Sequence, residues 1–273
     1  MRLRFRFSKL GKVRFTSHRD LARMWERAFR RVELPLAYTE GFSPRPKVSF
    51  GLALPTGHES LAEYLDLDLV PDASWPPGNQ GLVDLSALPG RLTAALPVGI
   101  DVSAAAVIDK ADSLQQAVTS CSWLVEVAGA TEERLAKLLA DALAASCLVI
   151  TREKKGQPVT DDVRPAILSA SVVGPCERGI LLVCDLTTQP RGVRPSELLL
   201  ALDGGVEERL ARRTHQWIER DGARVEPLVV APPAESPSPS AFSSPIVAGP
   251  GADLAGPASP ATVPAPHALG RAS

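Results

Sequence analysis

Five arginines recur at Arg19, Arg23, Arg27, Arg30 and Arg31, a spacing that lines them along one side of a helix. A guanidinium forks to two oxygens of a phosphate and displaces counterions, so such a stripe suits a polyanion. A solvated face whose arginine stems cover apolar surface, or a protein-docking face, would read the same way. Just downstream, Gly41-Phe42-Ser43-Pro44-Arg45-Pro46-Lys47 carries two cations on a stretch whose prolines fix φ. That rigidity lowers the entropy lost when Arg45 and Lys47 engage a ligand. The competing reading is a pinned crossover that packs Phe42 into the core. His18 opens the helix, where the dipole disfavours its protonation; a neutral imidazole beside Arg19, Tyr38 and Lys47 has the chemistry of a general base on a ribose 2′-OH. A capping or hydrogen-bonded structural histidine is the plainer reading. Arg164 and Arg194 each precede a proline farther along and extend the candidate anion-binding set, whereas His58, His215 and His267 have no supporting partners in the sequence.

Composition separates the chain into regions of different character. Residues 1–47 hold 13 Lys and Arg against 4 Asp and Glu, net +9; the remainder holds 17 against 27, net −10. That asymmetry predicts one basic end facing an acidic partner. The cysteines, Cys121, Cys147, Cys176 and Cys184, form no C-x-x-C and have no histidine at ligand spacing, so buried free thiols in a reducing compartment are expected, with no metal and no cofactor. The C-x-x-x-C-x-x-C pattern of a radical SAM cluster is missing, as are a Walker loop, G-x-G-x-x-G, H-E-x-x-H and a nucleophile elbow. Met1–Phe7 alternates charge with hydrophobe and has no apolar run of a signal peptide. No run approaches the roughly 20 apolar residues that span a bilayer. A cytoplasmic protein without a membrane partner is expected.

These residues need elements to position them. Leu3, Phe5 and Phe7 alternate with Arg2, Arg4 and Arg6 as a half-buried strand. Ser17 and Asp20 start a helix whose Leu21, Met24, Trp25, Ala28, Phe29 and Val32 form a core stripe ended by Pro35. Strands are read at Leu36–Thr39, Val48–Leu54, Leu61–Leu69 and Val98–Ile108, with a weak helix at Gly81–Leu88. This is the β-α-β-β-α-β order of a split βαβ, which puts Arg4 and Arg6 beside Asp66 and Asp68. A structural ladder of those charges is favoured over a single-stranded RNA platform, because only Tyr64 is offered for stacking.

The second half repeats the plan. A strand at Ser122–Ala128 precedes a helix capped by Thr131, a strand at Cys147–Arg152 and a turn at Lys154-Lys155-Gly156. A hairpin (Ala166–Val173, Ile180–Thr188), a helix from Pro195 to near Gly204 and a closing strand at Val225–Val230 complete it. The expected fold class is α+β, two tandem ferredoxin-like domains: a basic domain 1–108, a linker 109–118, a second domain 119–230 and a tail 231–273. Ten of the 25 prolines fall in that tail with three charged residues, a composition that predicts disorder.

Five segments together resemble a known family: S-H-R-D-L (17–21), LPLAYTEGFSPRPKVSFGLALPTG (34–57), E-Y-L-D-L (63–67), D-V-R-P (162–165) and R-G-V-R-P (191–195). They are similar to the uncharacterised bacterial radical SAM-linked (radical SAM-associated) family over roughly residues 1–205, most specifically in the first 70. Members of that family occur beside, or fused to, a B12-binding radical SAM protein, often encoded near an RNase G/E-type ribonuclease and ribosomal proteins. The family has no established activity. Its commoner Asn and His are Ser43 and Arg45 here, and its usual Leu is Val193, which argues against a catalytic loop histidine. The resemblance implies an accessory protein working with a separately encoded radical SAM protein, presenting RNA or a ribosome-linked substrate on Arg19, Arg23, Arg27, Arg45 and Lys47. A metal-independent RNA endonuclease using His18 and a protein-only adaptor are the alternatives.

Overall fold

In the computed structural model residues 1–78, 83–109, 113–154, 156–202 and 205–228 are described, the side chain of Lys154 excepted. The expected tail 231–273, the end of the expected closing strand at 229–230 and the start of the expected helix at 81–82 lie outside them.

Alternation in the opening segment produces β1 (Arg2–Lys9), with Leu3, Phe5 and Phe7 fully buried. The Oγ of Ser17 accepts the Asp20 amide at 3.2 Å and starts α1 (His18–Arg31), which buries Leu21, Trp25, Ala28 and Phe29 against β1. This helix stops four residues before Pro35. Val32 closes it and Glu33 takes a left-handed φ of 57°, leaving the Val32 carbonyl to the Trp75 indole at 2.6 Å. Leu36–Thr39 is no strand and makes only isolated bridges, Leu36 to Leu69 and Tyr38 to Pro46. Then come β2 (Val48–Phe50) and β3 (Glu59–Asp68). The second helix lies later than expected, as α2 (Leu88–Ala95), because Pro89 fits a first helical turn and Leu88 and Leu92 are the residues it buries. Between α2 and β4 (Val102–Ile108), Gly99 at φ 96° accepts the Leu10 amide; a Cβ there would stand 2.3 Å from the Leu10 carbonyl, so only glycine fits.

A single turn, α3 (Leu114–Ala117), leads into β5 (Val118–Ala128) and α4 (Glu132–Ala144), whose Thr131 Oγ1 caps the Arg134 amide at 3.3 Å. An unforeseen strand, β7 (Gln157–Asp162), pairs with β6 (Val149–Lys154) as a separate hairpin. The expected hairpin follows as β8 (Ile167–Cys176) and β9 (Gly179–Thr187), then α5 (Pro195–Ala201). The closing strand is β10 (Glu207–Arg220), not Val225–Val230; β11 (Ala223–Val225) is only a short return against it.

Sheet order in the first half is β4-β1-β3 with β2 on β3, and in the second half β10-β5-β9-β8, with antiparallel neighbours in each. The edge of β3 is shared. β2 pairs with it at Leu65–Leu67, while β10 pairs parallel with its other end at Arg212↔Glu59 and Arg213↔Ser60. One nine-stranded sheet therefore runs through both halves. Burial stays divided: one core gathers Phe5, Trp25, Phe29 and Trp75, the other Val125, Leu135, Leu182 and Leu198.

Charge pairing fastens the junction. The Glu63 carboxylate accepts from Arg213 Nη2 at 2.6 Å and Nε at 3.2 Å; their side chains are only 8% and 2% exposed. Glu59 accepts from Arg212 at 2.7 Å, from Arg14 at 3.2 Å and from the Gly11 amide at 2.8 Å. Burial alone would push the Glu59 carboxyl up, but these donors together hold it below the usual carboxylate range. His58, without an evident partner in the sequence, donates Nε2 to Glu208 at 2.8 Å and meets Trp123 edge-on. His215 stacks on Trp217.

Away from the helices, Arg2 pairs with Asp68 at 2.6 Å and Arg4 with Asp66 at 2.7 Å. Arg6 falls opposite Tyr64 rather than an aspartate. Tyr64 is 1% exposed and reaches Glu226, and burial pushes its phenol up. It is no stacking surface, and the ladder is structural.

Candidate functional site

Helix α1 buries one side and presents its arginines on the other. Arg19, Arg23, Arg27, Arg30 and Arg31 are all exposed, along a run of about 18 Å at the helical rise per residue. The helix carries five arginines against Asp20 and Glu26, net +3. Arg23 makes a surface pair with Asp20 at 3.3 Å, and Arg31 donates to the Ala95 carbonyl. Among the described residues, Arg19, Arg27 and Arg30 have no carboxylate in ion-pair reach.

The 37–47 stretch folds back on itself. Thr39 N–H donates to the Arg45 carbonyl at 2.8 Å, Lys47 N–H to the Ala37 carbonyl at 2.9 Å, and Arg45 N–H to Thr39 Oγ1 at 3.0 Å. Pro44 and Pro46 stiffen this lariat, and Gly41 at φ 119° turns its tip. Phe42 at the tip is wholly exposed, so the loop is not a crossover pinned by Phe42 in the core. Arg45 and Lys47 are exposed, again without an acidic partner among the described residues, and Tyr38 is 47% exposed beside them in the chain. A basic loop with two accessible aromatics is the composition that single-stranded nucleic acids favour.

His18 is exposed at the first turn of α1, its ring edge-on to Phe50 at 5.0 Å. It borders a small cleft with Lys9 and Glu63. Lys9 is buried, donates to the Thr16 carbonyl at 3.1 Å, and burial pushes its ammonium down. Arg164 has a different duty: Nε and Nη2 donate to the Leu143 carbonyl at 3.2 and 2.7 Å and Nη1 to Ile167 at 3.0 Å, which ties off the end of α4. Arg194 is exposed on the rim of a cavity between the halves, away from Arg164 in role. Neighbouring Arg191 is drawn into a ring with Asp161, Glu197 and Arg152. Cys121 and Cys184 are buried as expected, but Cys147 is exposed just beyond the end of α4. Among the described residues no cluster of His, Cys, Asp and Glu could hold a metal.

The arginines thus fall into two populations. Most of those on sheet strands and at the junction, among them Arg2, Arg4, Arg152, Arg212, Arg213 and Arg224, meet carboxylates. Those on α1 and the lariat mostly face water. Charge count alone could not sort them, because pairing depends on strand register.

A profile for "Uncharacterized protein conserved in bacteria (DUF2344)" matches residues 2–195, which span α1, the lariat and the turn before α5. The chain belongs to this family. The match stops before β10, although β10 completes the sheet. No curated protein matches the chain. Among solved structures, the "Crystal Structure of a Cbf5-Nop10-Gar1 Complex" is similar at 12% identity and a TM-score of 0.41, covering 78% of this chain and 49% of that one. The chain therefore spans about half of that protein, and a likeness at this score carries no argument. Among the described residues no helix is long and apolar enough to cross a membrane.

Proposed function

We propose that this protein is an accessory binding module that holds RNA, or a similar polyanion, on the exposed side of α1 and on the 37–47 lariat. As the family resemblance implies, it works beside a separately encoded radical SAM protein, to which it presents that ligand. The observation that carries the reading is that Arg19, Arg27, Arg30, Arg45 and Lys47 are exposed with no acidic partner among the described residues, whereas most strand arginines meet carboxylates. Exposed cations not already held by acids can neutralise phosphates, and the counterions this releases from the polyanion drive binding. The repeated β-α-β-β-α-β order supports reading the scaffold as two ferredoxin-like halves fused through one sheet.

The test is fluorescence anisotropy with a labelled single-stranded RNA across a potassium chloride series. Each phosphate contact adds about 0.7 to the steepness of log K against log salt. Replacing Arg19, Arg23 and Arg27 by Gln should lower that slope by roughly 2, and Arg45→Ala with Lys47→Ala should lower it by roughly 1.4. RNA binding with an unchanged slope in both variants, or none at low salt, sinks the proposal. Recovery of a radical SAM protein from host extract without RNA would leave a protein adaptor. RNA cleavage abolished by His18→Ala would make the module an endonuclease.

A further inference from the structure

The turn before α5 and the segment after β2 line a half-open cavity of about 250 Å³ that neither half could form alone. From the first half come Leu52, Ala53 and Pro55; from the second, Trp123, Val193 and Arg194 complete the wall. Most of this lining is apolar. Its floor holds Arg213, but that guanidinium is neutralised by Glu63 and also donates to the Leu52 carbonyl at 3.0 Å. Arg194 is different. Its backbone N–H is held by the Glu197 carboxylate at 3.0 Å, which fixes where the side chain leaves the chain. Its guanidinium is exposed on the rim and has no acidic partner among the described residues. Thr187 adds a half-buried hydroxyl to the same wall.

A half-open, mainly apolar cleft bordered by Arg194, which has no acidic partner among the described residues, is complementary to a molecule with an apolar body and one anionic end. At about 30 Å³ per displaced water, the cavity holds the equivalent of roughly eight waters, which is the scale of one ring with a substituent. We propose that this cavity is a binding site for a small organic anion of single-ring size. Its ring lies between Leu52, Pro55, Val193 and Trp123, and its carboxylate or phosphate sits on Arg194. The inference does not rest on the polyanion reading, since it uses no residue of α1 or the lariat. Both halves contribute wall, so occupancy also holds the two together.

Titration calorimetry on the full chain, with thermal unfolding in parallel, tests this using benzoate, phenyl phosphate and inorganic phosphate. Benzoate binding with no phenyl phosphate binding would assign the site to carboxylates, and the reverse to phosphate monoesters; either supports the site. Arg194→Ala, at an exposed position, should weaken the bound probe by about tenfold or more, the scale of one charge-assisted contact. Ala53→Phe, which fills the mouth from an exposed position, should abolish binding with the unfolding midpoint kept. Arg45→Ala/Lys47→Ala should bind the probe as the wild type does, whatever it does to RNA. Three results overturn the proposal: no ring-bearing probe binds up to about 10 mM, a floor of under 3 kcal/mol; phosphate alone binds as tightly as the ring-bearing anions; or Ala53→Phe binds unchanged.

Discussion

Removing Glu63 isolates the energetics of the junction. Glu63→Ala leaves Arg213, with its side chain 2% exposed, as a buried cation that has lost both hydrogen bonds to its carboxylate and keeps the Leu52 carbonyl, the Cys121 thiol and the Trp123 ring but no counter-charge. Breaking a buried pair from one side costs about 3–5 kcal/mol, because the remaining charge is desolvated without compensation. For a protein of this size each kcal/mol moves the midpoint by about 2–4 °C, so the midpoint should fall by about 6–20 °C. Removing both charges behaves differently. Glu63→Leu with Arg213→Met exchanges an ion pair for apolar volume and should recover most of the loss, since such replacements are often neutral or better. Urea unfolding followed by tryptophan fluorescence reports both cores, with Trp25 and Trp75 in one and Trp123 in the other. Glu63→Ala within about 1 kcal/mol of wild type would mean that water reaches Arg213 and that the junction is not dry. A double variant as unstable as the single one would mean that packing, not charge, fastens the halves.

Two further outcomes follow from the same geometry. The Glu59 carboxyl is held below its ordinary range, so it contributes stability that is present above the unfolded value of about 4.3 and is lost as pH falls through the lower folded value. Acid titration of stability should therefore be shallower in Glu59→Gln than in wild type below about pH 4.3; parallel curves would refute the assignment. Arg164→Ala should destabilise by about 1–2 kcal/mol through three lost donations to the Leu143 and Ile167 carbonyls, and should leave RNA affinity unchanged. A drop in RNA affinity without loss of stability would return Arg164 to the ligand surface.

Local pattern was enough where an element's own residues settle it. Alternation in β1, the Ser17 cap, the apolar stripe of α1, the Thr131 cap and the β8–β9 hairpin are all short-range, so the sequence alone determined them. It also determined that the first 47 residues would be basic and that two prolines would fix φ in the 41–47 loop. It could not locate β10. Glu207–Arg220 has charges at seven of its 14 positions and three register shifts, and it becomes a buried strand only because Glu59 and Glu63, some 150 residues earlier, neutralise Arg212 and Arg213. Tertiary structure likewise divided the candidate cations. Arg164 caps a helix, Arg194 borders a cavity, and Arg19, Arg27, Arg30, Arg45 and Lys47 have no acidic partner among the described residues, because pairing is a property of strand register and loop placement. The sequence by itself determined which charges this protein carries and which local segments bear them; only the folding of distant strands against one another decided which were neutralised and which stayed exposed to water.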